Sequence, residues 1–208
     1  MPRIDRVITA GIFSLDGEDF EVENNVWIIG DDYEAYVVDA AHDHMAILDG
    51  LGGRTLRGIL CTHGHNDHIN AAADLAEETR APILLHPDDT MLWEVVYPDR
   101  RIDDSLSDGR QLSIGGTDLT VLHTPGHSPG GCCLHLPSEG VVFSGDTLFN
   151  GGPGATGRSF SSYDTILDSI ERRLFALPDA TTVHTGHGDS TSIGVESPSL
   201  ATWRARRD

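Results

Sequence analysis

The segment from His63 to His68 concentrates potential metal ligands. It reads His-Gly-His-Asn-Asp-His and directly follows the apolar run Ile59-Leu60-Cys61. Neutral imidazole and carboxylate groups are the ligands that borderline divalent metals such as zinc prefer. With 11 histidines and 33 acidic residues in 208 positions, this pattern rarely arises by chance, so a metal site is favoured over an inert surface cluster.

The spacing within this segment indicates two sets of ligands rather than one. We predict a strand over residues 57–62, whose extended continuation would place the first two histidines of the segment on one face. A helix is predicted over residues 66–76, so Asp67 and His68 at its start would point in other directions. One metal could not easily take all four groups, whereas two metals could.

Three later segments supply further candidate ligands. In each, a short apolar run ends in a glycine-containing turn, and these turns carry His127, Asp146 and His187. Strands fix the position of a site while the following loops present its side chains. Glycine beside a ligand lets the backbone pass close to a metal without a Cβ clash. The sequence therefore predicts a binuclear metal site at the ends of several strands.

The order of these motifs resembles that of the metallo-β-lactamase-fold hydrolases. The similarity includes His63-x-His65-x-Asp67-His68 and the later phrases Thr-Pro-Gly-His, Ser-Gly-Asp-Thr and Gly-His-Gly, and it covers nearly the whole chain. Within that superfamily the chain looks most like the short glyoxalase-II-like thioesterases. Alternating strand and helix signals indicate an α/β protein. The resemblance implies a four-layer αββα sandwich formed by one domain over residues 1–208.

The resemblance also implies a role for each motif residue. It assigns one metal to His63, His65 and His127, the other to Asp67, His68 and His187, and the bridging position to Asp146. It matches Asp39 to the family's first-motif aspartate, which braces the ligand loop. From the sequence alone, an ordinary aspartate in a turn at a strand end is an equally good interpretation of Asp39. The expected cofactors are two divalent metal ions, with zinc favoured and iron or manganese as alternatives.

Two departures from related subgroups favour a di-metal hydrolase. Zinc β-lactamases commonly have cysteine where this chain has Asp146, and the flavodiiron oxidoreductases have glutamate where it has His65.

Full-length glyoxalase II carries a C-terminal helical extension with lysine and tyrosine groups that hold glutathione. This chain has only a short segment after His187 and no lysine, so glutathione recognition of that kind is not expected.

The expected reaction is hydrolysis of a thioester of a low-molecular-weight thiol. Two dications would lower the pKa of a water shared between them, and the resulting bridging hydroxide would attack the carbonyl carbon. The metals would also stabilise the oxyanion and the leaving thiolate. Asp67 and Asp146 are the expected catalytic residues, because they would orient the nucleophile and accept its proton.

Two other activities remain open at this point. Persulfide dioxygenases share the His-x-His-x-Asp-His pattern but use a single iron at the first site. A metal-dependent lactonase or other esterase would use the same ligands on a different carbonyl substrate.

Substrate specificity is expected to reside in the glycine-rich loop over residues 149–162, immediately after Asp146. Arg158 in this loop could clamp a substrate carboxylate, for which its fork geometry is suited. Equally, it could hold the loop by bonding backbone carbonyls. The segment Met91–Tyr97 is the other candidate lining, although such a segment is more often the buried face of a helix.

Composition restricts the partners. A formal net charge of −19 argues against nucleic acid and anionic membranes, since both reward a basic face. The expected partner is therefore a small-molecule thioester or ester, and the oligomeric state is left open.

The amino terminus lacks a signal-peptide pattern, no apolar stretch approaches the length of a membrane span, and three cysteines make no disulfide framework. Together these features predict a cytoplasmic protein.

Three further elements can be predicted from local patterns. A helix over residues 44–51 should face inward with Met45, Leu48 and Leu51. Residues 111–122 should form a hairpin that turns at Gly115-Gly116. Ser161 or Ser162 should cap an amphipathic helix that continues to Leu174.

The remaining histidines are expected to serve structure rather than metal binding. Those near the ends of helices and strands fit surface, capping or strand-end polar roles; they are His42, His44 and His86. Those in or beside later strands fit core packing or support of the ligands; they are His123, His135 and His184.

Overall fold

Two six-stranded sheets form the centre of the molecule. In the computed structural model, which describes residues 2–15 and 17–206, the strands are β1 (Arg3–Leu15), β2 (Glu18–Gly30), β3 (Glu34–Val38), β4 (Thr55–Leu60), β5 (Ile83–Leu85), β6 (Asp104–Ser105), β7 (Gln111–Ile114), β8 (Thr117–His123), β9 (Cys132–Leu136), β10 (Val141–Gly145), β11 (Leu148–Phe149), β12 (Gly152–Pro153), β13 (Thr182–Thr185) and β14 (Thr191–Ser192).

Short helices cover the outer faces of both sheets. They are α1 (His44–Leu51), α2 (Asn66–Ile69), α3 (Ala72–Thr79), α4 (Thr90–Val96), α5 (Tyr163–Ser169), α6 (Ile193–Glu196) and α7 (Leu200–Ala205). A π-helical turn over Ile170–Leu174 continues α5. Within the described residues, no helix has the length and apolar composition needed to cross a membrane.

The strand order places several carboxyl ends at the same edge. The first sheet has the order β1-β2-β3-β4-β5-β6 and the second β14-β13-β10-β9-β8-β7. Strands β3, β4 and β5 run parallel, as do β10 and β13. Because the loops that leave parallel strands emerge together, side chains just after β4, β10 and β13 can meet there.

Three apolar clusters define four layers. One lies between the first sheet and its helices and includes Ile47, Leu75 and Trp93. A second fills the space between the two sheets, with Trp27 and Phe143 among its members. The third lies between the second sheet and α5 and α7. Since each sheet buries both faces, the predicted αββα sandwich is confirmed.

Two predicted elements near the ligand motif differ from the structure. The strand predicted over 57–62 spans Thr55–Leu60, because the Thr62 N–H and hydroxyl both donate to the Asp39 carboxylate instead of continuing the strand. The helix predicted over 66–76 is two helices, α2 and α3. The break occurs where the Ala71 N–H donates to the Ala40 carbonyl, 3.1 Å away, rather than within the helix.

The first helix has the predicted bounds but a different inward face. Ile47 and Leu51 are buried, whereas Met45, predicted to face inward, is 57% exposed. At about 100° per residue, Met45 lies roughly 200° around the helix from Ile47. The buried stripe is therefore set by the pair four residues apart, and the Met45 assignment was wrong.

The later local predictions are confirmed. Strands β7 and β8 form the expected hairpin, with Ile114 paired to Thr117 and φ values of 56° and 77° at Gly115 and Gly116. Two successive positive φ values are what a two-residue type I′ turn requires. At the start of α5, the Ser162 hydroxyl accepts a hydrogen bond from the Thr165 N–H, 3.3 Å away, as a helix cap does.

Candidate metal centre

All seven motif residues meet at the common edge of the two sheets. His63 and His65 follow β4, and Asp67 and His68 lie in α2. The others follow strands of the second sheet: His127 after β8, Asp146 after β10 and His187 after β13. The residues that the sequence separates by up to about 125 positions are thus neighbours in the fold.

The first group consists of His63, His65 and His127. Potential ligand atoms of these three residues all lie within 4.8 Å of one another. The His65 Nδ1 and His127 Nε2 atoms are 2.9 Å apart, and His63 is only 2% exposed. The three imidazoles are close enough together to hold one metal ion.

The second group consists of Asp67, His68 and His187, whose potential ligand atoms again lie within 4.8 Å of one another. The His187 Nε2 atom lies 3.2 Å from His68 Nε2 and 3.3 Å from Asp67 Oδ2. This group differs from the first because it contains a carboxylate.

Asp146 lies between the two groups. Its Oδ1 atom is 3.3 Å from His68 Nε2. Its Oδ2 atom is 3.6 Å from His127 Nε2 and 3.6 Å from His187 Nε2. One carboxylate therefore reaches both groups.

Hydrogen bonds fix which imidazole nitrogen faces the centre. The Nδ1 atoms of His127 and His187 lie 2.7 Å from the carbonyl oxygens of Ala155 and Glu23. A carbonyl oxygen can only accept a hydrogen bond, so each Nδ1 carries the proton. Each Nε2 is then unprotonated, and its lone pair is available to a metal. Metal-binding histidines are commonly oriented in this way.

Two unsatisfied buried atoms show that divalent cations fit here. Among the described residues, His63 Nε2 and Asp146 Oδ1 are buried without a hydrogen-bond partner. Leaving such atoms unpaired is costly, and a cation between the groups would satisfy both. Five imidazoles and two carboxylates form a donor set suited to zinc, iron or manganese.

The two groups differ in electrostatics. Burial and the neighbouring imidazole of His127 lower the pKa of His65 to about 3, and burial with the adjacent imidazole of His68 holds the pKa of His63 well below its usual range. Burial alone would lower the pKa of His68, but Asp146 and other nearby carboxylates raise it well above its usual range. The first group is therefore rich in neutral imidazole, and the second is an imidazole and carboxylate cluster.

The carboxylates of the site are held in the ionised form. Burial alone would raise the pKa of Asp146, but the imidazoles of His68, His187 and His127 outweigh it and hold the pKa well below its usual range. The same competition, with His68 as the largest opposing group, lowers the pKa of Asp67. Ionised carboxylate is the form that binds metal.

Asp39 lies directly behind the ligand loop. Its Oδ1 atom accepts from the Thr62 N–H at 2.7 Å, and its Oδ2 atom accepts from the Thr62 hydroxyl at 2.7 Å. The same Oδ2 atom is 3.0 Å from His68 Nδ1. The contacts place Asp39 where it orients His68 and the start of the loop.

Three supporting residues escaped the sequence analysis. Asn24 donates from Nδ2 to Asp67 Oδ2 at 3.2 Å, and Asn25 bonds the loop that carries His187. Asp89 bonds the loops next to the first group of histidines. Each acts across a long sequence separation and belongs to no local motif. Nothing in the chain's one-dimensional pattern could have identified them.

The other histidines have structural contacts. The rings of His86 and His123 stack 4.0 Å apart at 8°. Although these two and Asp88 lie close together, nearly parallel rings cannot both direct an in-plane lone pair at one ion. His86 caps the turn after β5 by accepting from the Asp88 N–H, a strand-end role as predicted. His42 bonds Asn24 through Nε2 at 2.9 Å.

His184 is half-buried, and its surroundings lead to an expected dependence of stability on pH. Its ring stacks on Trp27 with centroids 4.1 Å apart. Burial, with a further contribution from the Arg6 guanidinium, lowers the pKa of His184 to about 4. An unfolded histidine has a pKa of about 6.5, so the unfolded state binds more protons between these values. The stabilising contribution is present above pH 6.5 and is lost as the pH falls toward 4.

We therefore expect the difference in unfolding free energy between wild type and His184→Gln to shrink from pH 7 to pH 4. Urea unfolding of both metal-free proteins at each pH measures this difference, and the other titrating groups cancel. A difference that stays constant across this range would contradict the assignment.

Arg158 and the β1–β2 hairpin border the first group. The Arg158 guanidinium lies 5.4 Å from the centre of the Phe20 ring, and Phe13 packs against His65 with ring centroids 5.8 Å apart. A small cavity is lined by Phe13, His65, His127, Ala155, Arg158, Ser159 and Ser161. The Ser161 hydroxyl holds the loop by contacting the backbone of residues 157 and 158.

Comparison with known proteins identifies the family. The family model of the Metallo-beta-lactamase superfamily matches residues 20–187. The hydroxyacylglutathione hydrolase GloC of Haemophilus influenzae is 34% identical over 157 residues, which are 69% of this chain and 74% of that protein.

Solved structures agree. The BLEG-1 B3 metallo-beta-lactamase has a TM-score of 0.76 at 30% identity, covering 91% of this chain and 97% of that one. The protein TTHA1623, crystallised in a di-iron-bound form, also has a TM-score of 0.76 at 30% identity, covering 85% and 93%. With the αββα layers and the convergent histidine and aspartate groups, these similarities show that the chain belongs to the metallo-β-lactamase superfamily of metal-dependent hydrolases.

Proposed function

We propose that this protein hydrolyses a thioester of a low-molecular-weight thiol, using two divalent metal ions, most simply zinc. His63, His65 and His127 would hold one ion, and Asp67, His68 and His187 the other, with Asp146 shared. The observation that carries the two-ion assignment is the position of the Asp146 carboxylate, whose oxygens lie 3.3 to 3.6 Å from histidine nitrogens of both groups.

Bound divalent cations would supply Lewis acidity and lower the pKa of a water molecule. The chain's own carboxylates would then accept the proton that this water molecule loses. Asp146 and Asp67 are ionised and point into the centre, and Asp146 Oδ1 has no hydrogen-bond partner among the described residues. Either carboxylate can orient the attacking water and accept its proton.

The protein offers no thiol nucleophile in place of water. Cys61, Cys132 and Cys133 are all buried. Burial raises the pKa of the Cys133 thiol to about 11 and holds the pKa values of the other two well above their usual range. A protonated, buried thiol is inert, so direct attack by water is the supported route.

The substrate class is supported by one relative and by the cavity. GloC, 34% identical, is named a hydroxyacylglutathione hydrolase, and such a substrate is a thioester. The cavity beside His65 and His127 is bordered by the apolar ring of Phe13 and the cation of Arg158. This pairing suits an acyl thioester that carries an anionic group.

The test combines metal analysis with a panel of substrates. Two ions per chain and turnover of acyl thioesters, with little turnover of lactones or β-lactams, are the expected results. One iron per chain with oxygen consumption on a persulfide would overturn the proposal in favour of a dioxygenase. Selective turnover of lactones would overturn it in favour of a lactonase.

Arg158 gives the proposal a specific prediction. Arg158→Gln should raise KM for thioesters with a carboxylate by about 10-fold or more, since a charge-assisted hydrogen bond contributes about 1.5–3 kcal/mol. Steady-state kinetics with charged and uncharged acyl groups measures the effect. Arg172→Gln is the matched control, because that side chain is 76% exposed and pairs with Asp168. Equal KM values for Arg158→Gln and wild type would remove Arg158 from the binding site.

A further inference from the structure

Asp89 is a buried carboxylate that the proposed chemistry does not use. It is 0% exposed and ends the short turn Pro87–Asp89, directly before α4. It forms no ion pair with any residue in the described parts of the chain. Burying a carboxylate without a cation is costly, so its contacts need an explanation.

Those contacts join two ligand loops. Asp89 Oδ2 accepts from the Gly64 N–H at 2.9 Å and from the Ser128 hydroxyl at 2.7 Å. Asp89 Oδ1 accepts from the Gly130 N–H at 2.5 Å. Gly64 lies between His63 and His65, and Ser128 follows His127. A single carboxylate therefore ties together the two loops that present the whole first group.

The loops approach Asp89 too closely for a side chain at either glycine. A Cβ atom at Gly64 would lie 2.8 Å from Leu92 Cβ and 3.0 Å from the Asp89 carbonyl oxygen. One at Gly130 would lie 2.7 Å from the Asp89 nitrogen and 2.8 Å from its Cγ atom. The backbone itself is brought against Asp89, which fixes the loops more rigidly than side-chain contacts would.

A different residue holds the loop of the second group that carries His187. Asn25 on β2 donates its N–H to the Gly186 carbonyl at 2.7 Å. Its Nδ2 atom donates to the carbonyls of Thr185 and Gly188 at 3.0 and 2.9 Å. These bonds surround His187 on both sides, and none of them touches the loops that Asp89 holds.

We infer that Asp89 and Asn25 are positioning residues that act on separate halves of the centre. Asp89 sets the metal affinity of the His63, His65 and His127 group, and Asn25 sets that of the group containing His187. This inference rests on the metal assignment of the proposed function. Residues that orient metal ligands in this way typically alter affinity by about 10- to 100-fold when replaced.

Zinc competition with a chromophoric chelator tests the inference in two backgrounds. His187→Ala leaves the first group as the intact site, and His65→Ala leaves the second. Adding Asp89→Asn should raise the zinc Kd by about 10- to 100-fold in the His187→Ala background and leave it unchanged in the His65→Ala background. The amide keeps the shape of the carboxylate but offers one acceptor oxygen to three donors. Asn25→Ala should show the opposite pattern.

The remaining outcomes decide against the inference or its premise. Unchanged affinity in both backgrounds, or an equal loss in both, would overturn it. If circular dichroism shows that metal-free Asp89→Asn is unfolded, Ser128→Ala replaces it, and a smaller loss confined to the first group is expected. A wild-type chain that binds no zinc overturns both proposals. Binding of two ions without thioester turnover overturns the thioesterase proposal alone.

Discussion

Replacing Asp146 by alanine should lower kcat/KM for the proposed thioester substrate by about 10³-fold or more and reduce bound metal below the proposed two ions per chain. The carboxylate lies within 3.6 Å of histidine nitrogens from both halves of the centre. Its removal takes away a shared ligand and a proton acceptor at once. Steady-state kinetics and elemental analysis of the same preparation measure the two effects together.

An exposed carboxylate outside the centre provides the control. Asp164 lies in the first turn of α5 and is exposed, so Asp164→Ala should keep both the activity and the metal content of wild type. Circular dichroism should show both variants folded, because Asp146 Oδ1 makes no hydrogen bond that the fold would lose. If Asp146→Ala retains two ions and full activity, the shared-ligand assignment is wrong.

The seven motif residues could be found from the sequence because each carries a local signal. His63 follows an apolar strand, and Asp146 and His187 stand beside glycines at the ends of other strands. Parallel neighbours such as β10 and β13 bring their carboxyl ends to the same edge. A pattern confined to a few residues was therefore enough to predict which side chains converge.

Asp89 and Asn25 could not be predicted in this way. Asp89 bonds residues 25 to 41 positions away, and Asn25 bonds residues 160 and more positions away. Their importance depends on how two sheets and a turn come together, which no local pattern encodes. An aspartate before a helix and an asparagine in a strand are both ordinary features of sequence.

Local sequence patterns also could not predict where some helices and strands begin and end. In β2, Glu18–Val22 is mostly exposed, yet it pairs with β1 in continuous register. Pairing with a partner strand, rather than burial, extends this hairpin toward the metal centre. The break between α2 and α3 has a similar cause, because the Ala71 N–H is satisfied by Ala40.

Removing the metals should lower the melting temperature by about 8–16 °C. Free metal at about 1,000 times its Kd stabilises a folded protein by roughly 4 kcal/mol, and for a chain of this size each kcal/mol corresponds to about 2–4 °C. The cause lies in three carboxylates, Asp39, Asp67 and Asp146, which contact His68 at 3.0, 3.4 and 3.3 Å. Without cations, only the imidazoles of His68, His127 and His187 offset these buried negative charges.

Differential scanning calorimetry with a chelator, followed by zinc restoration, measures this shift. Asp146→Ala is an informative comparison, because a variant that binds less metal should respond less to the chelator. Equal melting temperatures of the wild type with and without chelator would mean that these seven side chains are stable together without a cation. The two unpaired atoms, His63 Nε2 and Asp146 Oδ1, would then need another explanation.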